Sequence, residues 1–353
     1  MRSLLSILLI GVPVTLILCL VGLSYGIIGD SQNRTRGIGA DIVLRPKNSS
    51  YLSASGAPMP QQMVAFLAKQ PGVKMATGVV NLMAEGVTLG AAGINFDEFN
   101  AMSGGFKFLS GGPFQRPDDV IIDDFYANQK KKKVGDTIKV LNVDWHVSGI
   151  IQSGMLAHIV MPIATMQEKT GNIGKISQVY LKVVPGAKVS DVVESLRNNP
   201  DLQDYPVFSI EEFASLLSIG NVPGLQPFII VIMGIGVVIG FAVVCLSMYM
   251  AVLQRTREIG ILKSLGGSKG FILQVILSEA LLLGIGGTIL GILMSYGAYW
   301  LIKTLVPASL PMVIVYEWWP IAGAITIVGA LLGSLYPGLT AAAHDPIEAL
   351  AYE

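Results

Sequence analysis

The chain has 353 residues, 52% hydrophobic and 14% charged, with 24 basic and 24 acidic side chains and a mean hydropathy of +0.61. A soluble domain carries about 25% charged residues, so the composition points to an integral membrane protein, and the balanced charge excludes nucleic-acid binding through a basic surface. Residues 30–225 hold 18 of the 24 basic and 18 of the 24 acidic residues, leaving six of each elsewhere; a polar domain is inserted between apolar spans.

Leu4 to Ile28 is almost unbroken apolar sequence after Arg2. It is long enough to cross about 30 Å of hydrocarbon and longer than the apolar core of a signal peptide, about 7–15 residues. Residues 1–28 are therefore read as an uncleaved first span, with a kink expected at Pro13.

Residues 29–225 read as a compact α+β domain, short strands and Gly/Pro turns interleaved with short helices. Ala40 to Pro46 is a strand stopped by proline, and Pro60 to Gln70 a helix with Met63, Phe66 and Leu67 on one face. Val73 to Leu89 reads as two strands around Asn81, Phe96 to Met102 as a helix, and Asp119 to Asp124 as a strand leading into a helix through Tyr126 and Ala127. Lys130 to Lys133 is a solvated turn, or alternatively a contact for anionic lipid heads. Val134 to Ile151 reads as two strands joined at Asn142 and then a third; Ser177 to Val184 alternates again, and Val189 to Asn198 is an amphipathic helix with Val192, Val193 and Leu196 inward.

Three apolar runs follow: residues 226–253, 271–305 and 318–337, the last opening on Trp318-Trp319 at an interface-belt position and closing at Pro337. Between the first two lies a charged hairpin, 254–270, and between the last two a short loop, 306–317; residues 338–353 form a tail. The hairpin carries Arg255, Arg257, Lys263 and Lys269, whereas loop 306–317 has no Lys or Arg. The positive-inside rule therefore puts the hairpin and both termini in the cytoplasm and residues 29–225 outside. Arg34 and Arg36 pull the other way, but a long domain translocates largely regardless of its charge.

No chemistry-bearing constellation stands out. Gly266-Gly267-Ser268-Lys269-Gly270 does not fit a phosphate loop and reads as a helix stop followed by a Ser268 N-cap. His146, His158 and His344 are scattered, without metal-ligand spacing, and His146 and His158 read as ordinary surface or strand residues. The residues yield no catalytic, cofactor-binding or metal site. Cys19 and Cys245 both lie in apolar runs, so the polar domain has no disulfide framework.

The spans repeat one feature. Gly236 and Gly240, Gly287 and Gly291, and Gly329 and Gly333 each place two glycines one turn apart, a pattern that lets helices approach closely in lipid, within a subunit or across a dimer. Glu279 is the lone acid inside a span. An ion pair with Arg255, Arg257 or Lys263 is expected for it.

The hairpin Arg255-Thr-Arg-Glu-Ile-Gly-Ile-Leu-Lys-Ser-Leu-Gly-Gly-Ser, followed by Glu279 and Gly291, resembles the signature of MacB/FtsX-type permeases of ABC transporters (type VII). The tail from Tyr336 to Leu350 resembles that family's ending. Gly39-Ala-Asp-Ile-Val, Lys133-Val-Gly-Asp-Thr-Ile, Val147-Ser-Gly-Ile and Met161-Pro-Ile-Ala-Thr-Met are similar to its periplasmic core domain. The resemblance implies four spans, a second permease subunit in a homo- or heterodimer, and a separate ABC ATPase subunit that binds ATP and Mg. It also implies that Arg255, Thr256, Arg257, Glu258, Ile259, Gly260, Leu262, Lys263, Leu265 and Gly266 form the segment that seats on the ATPase; helical periodicity by itself puts Ile259, Leu262 and Leu265 along one face of it. Motion would then pass to the outer domain (mechanotransmission), with a membrane-fusion-type adaptor as a further partner. The expected function is a permease subunit in the bacterial inner membrane that exports or extracts a lipid, lipoprotein, peptide or drug. Its alternative is an FtsX-like signaller that activates a cell-wall hydrolase.

Overall fold

The computed structural model describes residues 2–47, 59–84, 89–140, 142–221, 224–306 and 310–343. The chain divides into two compact units. One takes in Met1–Tyr25, Gly224–Ile302 and Met312–Glu353; the other takes in Gly26–Pro223 and Lys303–Pro311.

Helix α1 (Arg2–Gly37) is unbroken and runs past residue 28, where the apolar run ends. Hydropathy marks a span, not a helix. The polar residues beyond it favour the helix locally: Asp30 and Arg34 pair at i,i+4 over 2.7 Å, and Ser31 and Thr35 donate to the carbonyls of Ile27 and Ser31. Pro13 lies within α1 without ending it.

In chain order the polar unit continues with β1 (Ile42–Leu44), β2 (Met59–Pro60), α2 (Gln62–Leu67), β3 (Val73–Ala84), β4 (Leu89–Ile94), α3 (Phe96–Ser103), β5 (Phe108–Gly111) and β6 (Asp119–Asp123). It goes on with α4 (Asp124–Lys130), β7 (Thr137–Val140), β8 (Val143–Ile151), β9 (Ile159–Pro162), α5 (Ile163–Thr170), β10 (Lys175–Ile176), β11 (Gln178–Val183), α6 (Val189–Arg197), β12 (Val207–Ser209) and α7 (Ile210–Leu216). The main sheet has the order β12-β1-β11-β3-β4-β9-β6-β8-β5, with β7 also paired to β8. The pairs β4/β9 and β6/β8 are parallel and the others antiparallel.

Both faces of this sheet are covered. Along β1, Ile42 and Leu44 enter one core and Val43 the other; along β6, Val120 and Ile122 part from Ile121 in the same way. Alternation is therefore masked, and such strands read as continuous apolar runs. The first core takes in Leu67 of α2, Tyr126 of α4, Met166 of α5 and Val192, Val193 and Leu196 of α6, around Trp145. The second takes in Phe99 and Met102 of α3, Ile210 and Phe213 of α7, and Ile38 just beyond α1. The result is a three-layer α+β domain.

Two strand expectations are corrected. Val73–Ala84 is one strand, not two, because Asn81 is not a turn: its amide donates to Ser177 Oγ at 2.9 Å, where β3 passes from pairing with β11 to pairing with β4. The third strand expected before Ile151 is the second half of β8, which pairs with β6 on one side and β5 on the other, with a bulge in each pairing. The turn at Asn142 is present, with φ +60°.

The apolar unit adds α8 (Leu225–Gln254), α9 (Thr256–Ser264), α10 (Lys269–Leu305) and α11 (Trp318–Ala343). Together with α1, three of these are long and apolar enough to cross a membrane, giving four such helices among the described residues. Helix α11 does not close at Pro337 but continues through it. The proline removes one N–H from the ladder, a loss that packed apolar helices tolerate.

Candidate functional site

The charged hairpin folds as a short helix with well-formed ends. Helix α9 ends in a Schellman motif: Gly267 N–H donates to Leu262 O at 2.9 Å, Gly266 N–H donates to Lys263 O at 3.0 Å, and Gly266 takes φ +95°. The glycine stop expected here is needed because a side chain at that φ is strained. Ser268 Oγ then accepts from Phe271 N–H at 3.2 Å as N-cap of α10. At the other end Thr256 Oγ donates to the carbonyls of Leu253 and Val252, tying the start of α9 to the last turn of α8.

Two of the hairpin's cations bond to the neighbouring spans. Arg255 Nη1 lies 3.2 and 3.4 Å from the two carboxylate oxygens of Glu279 in α10. Lys263 Nζ donates to Ala342 O at 2.9 Å, near the last described residue of α11. Arg257 and Glu258 are exposed and make no ion pair among the described residues. Of the apolar face expected from Ile259, Leu262 and Leu265, the structure turns Ile259 inward, against a cluster that includes Val252, Ile272 and Ala342, and buries Gly260. Leu262 and Leu265 are exposed, Leu265 by 80%, and Ile261 joins them. The face divides because a short helix lying across a bundle can turn only one flank toward it.

The glycine pairs are used unequally. A Cβ built on Gly287 would lie 2.4 Å from Ile10 Cγ2, and one on Gly291 would lie 2.6 Å from Val14 Cβ. Gly291 therefore meets α1 backbone to backbone, and Thr15 Oγ donates to the carbonyls of both Gly11 and Gly291. Gly333 approaches Phe241 O of α8, at 2.7 Å from its virtual Cβ. Gly236 makes only ordinary contact with Pro13 and Ile17, and Gly240 and Gly329 meet nothing within 4 Å. A narrow apolar cleft lined by Ile17, Gly236, Gly240, Thr326 and Gly329 lies there. Gly11, whose backbone faces Gly291, is not marked by the paired-glycine pattern because it stands without a second glycine one turn away.

In the polar unit His146 is the strand residue expected, and His158 differs from the expected reading. His146 is half-exposed on β8, between β6 and β7, with Nδ1 2.9 Å from Asp119. The Asp119 carboxylate is held below its ordinary range: burial opposes this, but the amides of Gln115 and Arg116 and the His146 ring outweigh it. His158 is not a surface residue; it is 5% exposed, with Nδ1 2.8 Å from Asp123 Oδ2. Burial pushes the Asp123 carboxyl up. The hydrogen bond and charge of His158, the charge of Arg34 and the Tyr126 amide reverse that and leave it low. Lys130 is the last residue of α4 and Lys131–Lys133 form the turn after it: Lys131 takes φ +52° and Lys133 N–H donates to Asp136 Oδ2. Among the described residues no three His, Cys, Asp or Glu side chains gather as metal ligands. His344 and the family-like tail beyond Ala343 lie outside the described residues.

Comparison with known proteins gives two family matches. Residues 3–199 match the model described as the MacB-like periplasmic core domain, and residues 230–346 match the FtsX-like permease C-terminal model. The uncharacterized ABC transporter permease YknZ of Bacillus subtilis is 32% identical over 228 residues, covering 62% of this chain and 55% of its own length. The macrolide export ATP-binding/permease protein MacB of Escherichia coli K12 is 26% identical over 318 residues, covering 81% and 48%. The chain thus spans about half the length of these curated relatives. The crystal structure of the periplasmic region of MacB from Actinobacillus actinomycetemcomitans matches at a TM-score of 0.39 and 15% identity, over 52% of this chain and 94% of that one.

Proposed function

Because the chain belongs to the MacB-like periplasmic core domain family and carries an FtsX-like permease C-terminal region, we propose that it is the permease subunit of an ABC transporter that couples ATP hydrolysis in a separate ATPase subunit to motion of its outer domain. The observation that carries this reading is the division of α9. Arg255 and Lys263 are fastened to α10 and α11, while Arg257, Glu258, Ile261, Leu262 and Leu265 face outward. A short helix fixed to the spans on one flank and bare on the other suits a seat on a partner. The partner is an ABC ATPase that holds ATP and Mg, and this chain itself binds neither.

The cargo is a lipid, lipoprotein, peptide or drug, exported or extracted from the membrane; the name of the MacB relative specifies macrolide export. A second permease subunit completes the transporter, and a membrane-fusion-type adaptor extends it. The site is the bacterial inner membrane, with both termini and α9 cytoplasmic and the polar unit outside, in keeping with the four basic residues of the hairpin.

The test is co-purification of the full chain with its ATPase, followed by ATP hydrolysis in lipid. Glu258→Lys and Leu265→Asp are expected to abolish association while leaving the chain folded. Intact ATPase binding and function in both variants would sink the coupling reading, and activation of a cell-wall hydrolase without any cargo movement would replace transport by signalling.

A further inference from the structure

Arg34 stands near the end of α1, in the polar unit, and is buried to 7% exposure. Its Nε is 2.7 Å from Asp30 Oδ2, one turn back on the same helix, and its Nη2 is 3.0 Å from Asp123 Oδ2, at the end of β6. Nη2 also lies 2.9 Å from His158 Nδ1, and that nitrogen is 2.8 Å from the same Asp123 oxygen. The arrangement is satisfied when Nδ1–H and Nη2–H both donate to Asp123 Oδ2. The other Asp123 oxygen accepts Tyr126 N–H at 2.8 Å and caps α4, and Asp123 N–H donates to His158 O at 3.0 Å. One carboxylate therefore binds the end of α1, the start of α4 and the strand start at β9 together.

The grip has further points. A Cβ on Gly37 would lie 2.0 Å from Gly154 O, so the last residue of α1 is seated against the β8–β9 loop. That loop is anchored by Ser153 N–H on Asp124 Oδ1 at 2.8 Å. On another side of the helix Gln32 Nε2 donates to Leu217 O at 2.6 Å, just past α7.

Stability alone does not account for an arginine here. Removing a guanidinium from water is costly, and apolar side chains that fill a buried ion pair's place are often as stable or more so. Arg34 even leaves Nη1 buried with no hydrogen-bond partner among the described residues. What the pair supplies is a fixed angular register: one residue of rotation turns a helix by about 100° and would carry Arg34 away from Asp123. Helix α1 has no break between Arg2 and Gly37, yet its residues to Tyr25 belong to one unit and those from Gly26 to the other.

We propose that Arg34, Asp123 and His158 form the joint through which α1 moves the outer sheet, Arg34 acting as a positioning residue that makes the end of α1 and the β6/β9 corner one rigid body. This rests on the coupling function proposed above.

The test uses the full chain in lipid nanodiscs with the ATPase subunit that co-purifies with it. ATP hydrolysis is measured, and hydrogen exchange over β6, the β8–β9 loop and β9 is compared with and without ATP plus vanadate. Wild type is expected to show a nucleotide-dependent change in exchange. In Arg34→Met/Asp123→Asn the buried carboxylate is removed together with the guanidinium, Asp30 is left without its partner only at a part-exposed position of α1, and asparagine still caps α4. Hydrolysis and nucleotide-free exchange are expected to stay as in wild type while the nucleotide-dependent change is lost. Arg34→Lys keeps the charge and the fold, but one ammonium cannot span Asp30 and Asp123 together, so the change is expected to shrink by more than half. An undiminished change in the double variant, or in Arg34→Lys should the double variant unfold, overturns the joint. A wild-type complex that hydrolyses ATP with no change at all overturns the coupling reading itself, and the joint with it.

Discussion

Gly11 of α1 and Gly291 of α10 meet backbone to backbone: a Cβ on Gly11 would stand 3.3 Å from Gly291 N, and one on Gly291 2.8 Å from Gly11 O. Both atoms are backbone and cannot swing away, so relief requires the helices to part. Gly291→Val is expected to destabilise the helical unit by about 1–3 kcal/mol, the range for overpacking. Gly240→Ala, where nothing lies within 4 Å, is expected to be neutral. Thermal unfolding in detergent separates the two; equal midpoints would contradict the packing.

The Arg255–Glu279 pair is half-exposed at the edge of the span. Such pairs contribute roughly 0–1 kcal/mol, so Glu279→Gln is expected to lower stability by no more than that and to weaken coupling. No pH dependence of activity should appear or vanish with it. A proton-linked change in transport between wild type and Glu279→Gln, measured across pH 5 to about 8, would contradict a structural role.

Asp123 carries a folded-state carboxyl below its ordinary range, so the sign is that of a depressed acid. Its contribution is fully present above the unfolded value of about 3.9 and is lost as pH falls through the lower folded value. Urea unfolding of the polar unit, followed by hydrogen exchange, is expected to show stability falling below about pH 4. In Asp123→Asn that acid-dependent fall is expected to be smaller. Parallel pH curves for the two proteins would remove Asp123 from the account.

Trp145 is fully buried in β8, and its Nε1–H donates to Val140 O at 3.1 Å across the β7–β8 hairpin. Trp145→Ala is expected to cost about 3–5 kcal/mol, enough to unfold the polar unit while the apolar helices stay folded. Trp145→Phe keeps most of the volume but leaves the Val140 carbonyl without this donor, and an intermediate loss is expected. Limited proteolysis of the full chain reads both.

Much of this architecture is written in local pattern. The spans follow from unbroken apolar length, α6 from the spacing of Val192, Val193 and Leu196, and the break between α9 and α10 from Gly266-Gly267-Ser268. What was hidden depends on partners distant in sequence. Asn81 has a turn former's composition, but Ser177 supplies its hydrogen bond. Ile259 and Leu262 look alike in sequence, and only the packed spans decide which is covered. His158, Asp123 and Arg34 lie far apart along the chain, so no spacing rule joins them. The end of α1 escaped for a different reason: hydropathy stops at Ile28, whereas the helix is continued by Asp30, Ser31, Arg34 and Thr35 through bonds that composition does not weigh.

The strands that open and close the polar unit are hydrogen-bonded neighbours, Ile42 opposite Ser209 and Leu44 opposite Val207. The chain therefore enters and leaves this domain beside a single margin of the sheet. An insert whose ends meet can be lengthened, trimmed or exchanged by recombination without re-threading the host. In evolutionary terms such a unit is a cassette: the polar domain can be replaced while the four long helices are kept.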